Sequence, residues 1–160
     1  MNVAYLLIGG NIGDRKRALE MASEAIEEQC GTISKRSFIY ETAAWGKEDQ
    51  NPFLNQAIEL QTKFSPHELL DYLLQIEETM GRVREIKYGP RIIDIDMLFF
   101  NDAVIDTRDL KIPHPELPNR RFTLQCLHDI ASLKKHPVSG KTIEELLAEC
   151  PDPLSVDKFG

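Results

Sequence analysis

The sequence predicts an α+β sandwich, a mostly antiparallel sheet with helices packed against it. Apolar runs of strand length, rich in β-branched and aromatic residues, recur at residues 3–8, 32–42, 53–64 and 92–100, and such runs favour a pleated, buried backbone. Two stretches with apolar residues at helical spacing, residues 15–29 and 66–80, sit between them. Turn residues punctuate the joints, at Gly31, Gly81 and Asn101-Asp102. At 160 residues and 42% hydrophobic, the chain suits one domain spanning residues 1–160 with a sizeable core.

Each element has a local reason. The run at residues 3–8 is the first strand, and Gly9-Gly10-Asn11-Ile12-Gly13-Asp14 reads as a strand-to-helix turn needing glycine's positive φ, with Asp14 as N-cap. That turn matches neither a P-loop nor G-x-G-x-x-G. The first helix carries Leu19, Ala22, Ile26 and Cys30 on one stripe and stops at Gly31. Residues 32–42 read as one strand. The polar segment 43–52 holds the only tryptophan, Trp45, which serves as an anchor for the loop or as a gate over a ligand. After the strand at 53–64, Ser65-Pro66-His67-Glu68 combines an N-cap serine, proline at N1 and a capping-box glutamate. Leu69, Leu70, Leu73, Leu74 and Ile76 then form the buried stripe, and Glu77 reads by itself as a solvated helix residue. Residues 82–89 lack an apolar period and read as a loop. The strand at 92–100 turns at Asn101-Asp102 into a hairpin whose return includes Val104 and Ile105. A helix at 119–131 starts with Arg120 and Arg121, unfavourable for its dipole unless an anion is near. Thr142-x-x-Glu145 opens a last short helix before Pro151. The order β-α-β-β-α-β-β-α with a trailing helix contains two βαβ-like halves, which points to a ferredoxin-like sandwich.

One strand breaks the rules of a plain core strand. In Ile92-Ile93-Asp94-Ile95-Asp96-Met97-Leu98 two carboxylates fall at alternate positions, so they share a face with Cα atoms roughly 6.5–7 Å apart. Leu98 and Phe100 continue that face, and Ile93, Ile95, Met97 and Phe99 take the other. Paired carboxylates at the mouth of a buried strand resist burial unless a cation joins them. They make a hard-oxygen site for one or two Mg²⁺, or else stand at the water-facing start of the strand. Arg82, Arg84, Lys87 and Arg91 precede them, which favours a metal-and-phosphate site. His114, held between Pro113 and Pro115, is a further candidate.

The charge balance narrows the class. The net charge is −7, yet residues 82–121 hold eight Lys/Arg against seven Asp/Glu. Basic charge is therefore concentrated around the aspartates on an otherwise acidic chain, a local anion site and not a nucleic-acid or membrane surface. An RNA-binding module on the same fold would need spaced aromatics with Gly and basic residues, which are absent. A two-metal phosphohydrolase would also use Asp-x-Asp with arginines. Three scattered cysteines, no apolar run of membrane length and no signal-like start suggest a cytoplasmic protein with its thiols as small hydrophobes.

Lys87-Tyr88-Gly89-Pro90-Arg91-Ile92-Ile93-Asp94-Ile95-Asp96-Met97-Leu98 resembles the metal-strand signature of the hydroxymethyl-dihydropterin pyrophosphokinases of folate biosynthesis. Tyr40-Glu41-Thr42, Phe53-Leu54-Asn55, Gly81-Arg82-Val83-Arg84, Pro113-His114 and Asn119-Arg120-Arg121-Phe122 fall in that family's order, so the likeness extends from residue 3 to about 131. The resemblance implies transfer of diphosphate from ATP to 6-hydroxymethyl-7,8-dihydropterin, leaving AMP, and the chain is expected to act as a monomer. It implies that Asp94 and Asp96 hold two Mg²⁺, and that Arg82 and Arg91 take part in catalysis. Glu77, Arg84, His114 and Arg120 would bind ATP. Thr42, Ala43, Trp45, Phe53, Asn55, Tyr88, Asp94 and Phe122 would bind the pterin, with Phe53 and Phe122 stacked on its faces. The loops 43–52 and 82–89 would close over both substrates. The chain departs from many members at Ala43, Leu74, Tyr88 and Asp109, the last beside Arg108.

Overall fold

The structure, a computed structural model, describes residues 1–43, 51–81 and 92–160. The expectations attached to Trp45, Arg82, Arg84, Tyr88 and Arg91, and to closure of the two loops, lie outside the described residues. Strand β1 (Asn2–Gly10) forms the middle of the sheet because it has no polar face, being buried without a break from Ala4 to Gly10. That is the pattern of a strand covered on both sides. β4 (Phe53–Thr62) pairs antiparallel with β1 along its whole length, and β5 (Asp94–Phe100) pairs antiparallel along the opposite edge of β1. β2 (Thr32–Arg36) and β3 (Tyr40–Thr42) both pair antiparallel with β4. Helix α1 (Arg15–Gln29) joins β1 to β2, and α2 (Pro66–Thr79) joins β4 to β5. The strands so joined run parallel with one strand between them, giving two interleaved βαβ units, the ferredoxin-like arrangement expected.

The sheet has a core on each face. Leu6, Ile8 and Leu60 pack with Leu19 and Ile26 of α1 and Leu73 of α2. Helices α3 (Arg121–Ala131) and α4 (Ile143–Glu149) cover the other face, where Leu124, Leu127 and Ile143 meet Leu7, Ala57, Leu98 and Phe99. Each such fully buried side chain contributes about 1.5–3 kcal/mol. The local start signals act as read: Asp14 accepts from the Arg17 N–H at 3.1 Å, and both capping boxes, Ser65 with Glu68 and Thr142 with Glu145, close.

Several expectations are corrected by pairing that no local pattern encodes. Gly9 and Gly10 belong to β1, and the left-handed residue of the following turn is Gly13, at φ +65°. The strand expected over 32–42 breaks after Arg36, where the Ser37 hydroxyl accepts from the Ala57 N–H at 2.9 Å. A bulge in the β1–β5 pairing shifts register between Tyr5 and Leu6, so that Phe99 joins Leu98 under α3 while Phe100 turns to the α1/α2 side. Phe99 and Phe100 therefore exchange the faces that strict alternation assigns them. The return strand after Asn101 is β6 (Ile105–Asp106), which pairs with β7 (Lys111–Ile112) in a separate ribbon and not with β5. Leu74 lies outside the buried stripe of α2 and is exposed. Beyond the last helix, β8 (Val156–Lys158) adds an unanticipated strand alongside β3.

All three cysteines are buried and unpaired. Burial pushes Cys30 up to about 11 and Cys126 up to about 12, so these thiols act as small apolar side chains.

Candidate active site

Register places the polar positions in a row. Asp94 of β5 lies opposite Gly9 of β1, Gly9 opposite Asn55 of β4, and Asn55 opposite Tyr40 of β3. One step along, Thr42 faces Phe53. Alternation puts Asn55 and Phe53 on the side of Ala57, Thr42 on that of Tyr40, and Asp94 and Asp96 on that of Leu98. Ala57, Tyr40 and Leu98 belong to the core beneath α3. The five positions thus open on one face of the sheet, at the end where α3 begins with Arg121 and Phe122 after its N-cap Arg120. Neighbouring strands lie about 4.8 Å apart, so Asp94 and Asn55 stand about 9–10 Å apart with Gly9 between them.

Gly9 is glycine because of a close approach. A Cβ there would lie 2.1 Å from Asn55 Oδ1 and 3.1 Å from the Leu54 carbonyl oxygen, so the Asn55 carboxamide lies across the bare backbone of Gly9. Asn55 and Thr42 are both buried, and among the described residues the Thr42 hydroxyl has no hydrogen-bond partner. Phe53 and Phe122 are half-buried, leaving ring surface for a ligand. A sheet face carrying an amide edge, a buried hydroxyl and a half-buried aromatic ring, with a second ring at the start of α3, suits a flat polar heterocycle.

An open cleft of about 330 Å³ runs along the outer edge of β5. Leu70, Leu74 and Glu77 of α2 line one wall, Asp94 and Asp96 the floor, and Arg108, Asp109, Lys111 and His114 the other wall. Glu77 is only 3% exposed and its Oε2 accepts from the Ile95 N–H at 2.7 Å. This overturns the solvated reading of Glu77. The His114 N–H donates to the Leu98 carbonyl at 3.0 Å, and its Nδ1 accepts from the Glu116 N–H at 3.2 Å. That acceptor role assigns the ring proton of neutral His114 to Nε2. Burial holds His114 below the usual imidazole range and the charge of Arg120 adds to the effect, while Glu116 and Asp94 oppose it. Arg120 has its Nε buried and, among the described residues, without a hydrogen-bond partner, a cation suited to an incoming anion.

The donor set tests what metal the cleft suits. Among the described residues no group of three or more His, Cys, Asp or Glu forms a cage for an ion. Two carboxylates on one strand face are what Mg²⁺ needs when substrate phosphates and waters complete its shell. Asp94 and Asp96 fit that use.

The structure brings together Thr42, Phe53, Asn55 and Asp94 on one sheet face, and Glu77, Asp94, Asp96 and His114 around the cleft. Asp94 belongs to both sets. Ala43 follows Thr42 at the end of β3 and is exposed. Sequence reasoning missed Gly9, whose neighbour is set by strand register, Leu70, which reads as core, and Lys111, which no local pattern singles out. It also missed Asp152, whose Oδ2 accepts from the Arg121 N–H at 3.0 Å. This buried carboxylate is the anion that the basic start of α3 called for.

The class is a ferredoxin-like α+β domain whose carboxylate-lined cleft at the β5 edge adjoins a polar and aromatic patch on the sheet. The model of the 7,8-dihydro-6-hydroxymethylpterin-pyrophosphokinase (HPPK) family matches residues 5–132, and the chain belongs to that family. It is 41% identical over 160 residues to the 2-amino-4-hydroxy-6-hydroxymethyldihydropteridine pyrophosphokinase of Bacillus subtilis, covering 99% of this chain and 96% of that one. It is 41% identical over 149 residues to the protein of the same name from Aquifex aeolicus, covering 93% and 92%. The fold resembles that of Plasmodium falciparum HPPK-DHPS, with a TM-score of 0.75 at 23% identity over 92% of this chain. This chain spans 43% of that longer protein.

Proposed function

We propose that this site transfers diphosphate from ATP to the hydroxymethyl group of 6-hydroxymethyl-7,8-dihydropterin, giving AMP and the pterin diphosphate. The observation that carries the proposal is the Asn55–Gly9–Asp94 row, because it sets a heterocycle's edge and the carboxylate pair on one continuous surface. The pterin lies between Phe53 and Phe122, its edge read by Asn55 and Thr42. Its hydroxymethyl group then points to Asp94. ATP lies in the cleft along β5, its base against Leu70 and Leu74, its phosphates toward Asp94, Asp96, His114 and Arg120. Glu77 holds the Ile95 backbone that carries the two aspartates.

Asp94 and Asp96 would hold two Mg²⁺, which neutralise phosphate charge and make the attacking hydroxyl more acidic. His114 is neutral near pH 7 and offers its Nε2–H to a phosphate oxygen. Arg120 supplies a fixed positive charge beside it. Arg82, Arg84 and Arg91 clamp the phosphates, and Ala43, Trp45 and Tyr88 complete the pterin pocket, as the sequence resemblance implies.

No helix among the described residues is long and apolar enough to cross a membrane. We further propose a single-domain, monomeric, cytoplasmic enzyme of small molecules, without nucleic-acid or membrane partners; the acidic net charge argues against a nucleic-acid surface. The test is product analysis with Mg²⁺, ATP and the hydroxymethyl pterin. AMP and pterin diphosphate form in equal amounts. ADP as product, or ATP hydrolysis indifferent to pterin, would instead indicate a simple kinase or a phosphohydrolase.

A further inference from the structure

The HPPK family model ends at residue 132, yet the chain beyond it reaches back to both walls of the pterin slot. Asp152 is 3% exposed. Its Oδ2 accepts from the Arg121 N–H at 3.0 Å and its Oδ1 from the Leu154 N–H at 2.9 Å. The Arg121 side chain returns the grip, with Nε donating to the Asp152 carbonyl at 3.1 Å and Nη2 to the Cys150 carbonyl at 3.0 Å. Arg121 lies between Arg120 and Phe122, and it is the first residue of α3. Four residues later the same segment pairs with β3, Val156 opposite Thr42 and Lys158 opposite Tyr40. One short stretch therefore ties the helix start bearing Phe122 to the strand bearing Thr42.

We propose that residues 150–158 form a strap that sets the spacing of the pterin slot, with Asp152 as its positioning residue. This rests on the pterin site described above. Arg120 has no capping side chain of its own. Asp152 supplies both the missing acceptor and the negative charge favoured at the helix start. Without it the first turn of α3 loses its outside tether, and the Phe122 ring loses its fixed distance from Phe53. Asp152 touches neither substrate in this reading. It acts through Arg121 and the α3 backbone, so its effect falls on pterin binding and only secondarily on turnover.

The test uses the full chain and fluorescent 6-hydroxymethylpterin, titrated in the presence of a non-hydrolysable ATP analogue, at a temperature well below unfolding. Asp152→Ala weakens pterin binding by about tenfold, the scale of one lost charge-assisted hydrogen bond, and raises KM for pterin more than it lowers kcat. Asp152→Asn keeps one acceptor oxygen, weakens binding less, and serves alone if the alanine variant fails to fold. Phe122→Ala and the double variant with Asp152→Ala complete the cycle. If the strap acts by placing Phe122, the two losses are less than additive. Normal pterin affinity in folded Asp152 variants whose melting temperature has fallen would overturn the strap as a positioning device and leave it a stability element. Normal affinity in Phe122→Ala would instead overturn the pterin site itself, so the two failures are distinguishable.

Discussion

Gly9→Ala is the sharpest perturbation of the slot, because one methyl group meets one side chain. The added Cβ would lie 2.1 Å from Asn55 Oδ1, and reaching the 3.4 Å of ordinary contact requires a retreat of about 1.3 Å. Asn55 carries only two side-chain torsions, so the carboxamide must rotate off Gly9 and leave its place in the row. A hydrogen bond displaced by more than 1 Å is lost. Asn55 both donates and accepts, and losing one or both pterin contacts costs about 1–3 kcal/mol, or roughly 5- to 150-fold in affinity. The Leu54 carbonyl at 3.1 Å is also crowded and adds a stability cost of about 1 kcal/mol. Fluorescence titration with 6-hydroxymethylpterin, calorimetry with an ATP analogue and thermal melting separate these effects. The expected pattern is weakened pterin binding, near-normal nucleotide binding and a small drop in melting temperature. Unchanged pterin affinity would show that Asn55 does not read the heterocycle from above Gly9.

Asp94→Asn and Asp96→Asn each remove one of two like charges on a strand face, so melting temperatures stay level or rise while turnover falls by several orders of magnitude. A destabilised but active variant would refute the metal role. Removing the ring of Phe53 or Phe122 weakens pterin binding by about 1–3 kcal/mol, the range for base stacking on aromatics, with nucleotide affinity retained. Equal loss of both affinities with stability would make them core residues instead. The lowered His114 pKa gives a signed pH effect. The unfolded chain takes up the proton near the ordinary value of 6.5 and the fold does so only at lower pH. Stability is therefore full above about 6.5 and is lost as pH falls through the folded pKa. His114→Gln flattens that part of the stability curve, leaving the contribution of His136, also lowered by burial.

Much of the fold was legible because its signals are local. Asp14, Ser65 with Glu68, and Thr142 with Glu145 announce helix starts within four residues, and the apolar run at residues 3–8 announces the first strand. The aspartate pair was legible because carboxylates in a core strand need a chemical reason. What stayed hidden depends on partners far along the chain. The bulge at Leu98 is decided by β1, so alternation alone misplaces Phe99 and Phe100. Glu77 is buried by an amide 18 residues on, and a glutamate late in an amphipathic helix gives no hint of that. Gly9 carries the same letter whether it serves a turn or a close approach. β8 is three residues long and becomes a strand only because β3 offers it an edge.

Glu77 and His114 also bear on the protein's behaviour in concentrated solution. Among the described residues, β5 has one strand neighbour, β1. An unpaired strand rim of that kind invites another chain to add to the sheet. Here the Ile95 N–H is taken by Glu77 and the Leu98 carbonyl by the backbone of His114. Residues that line the cleft therefore also plug the sheet's open rim. Glu77→Ala, which frees the Ile95 N–H, carries a liability for self-association through β5, visible by light scattering as protein concentration rises.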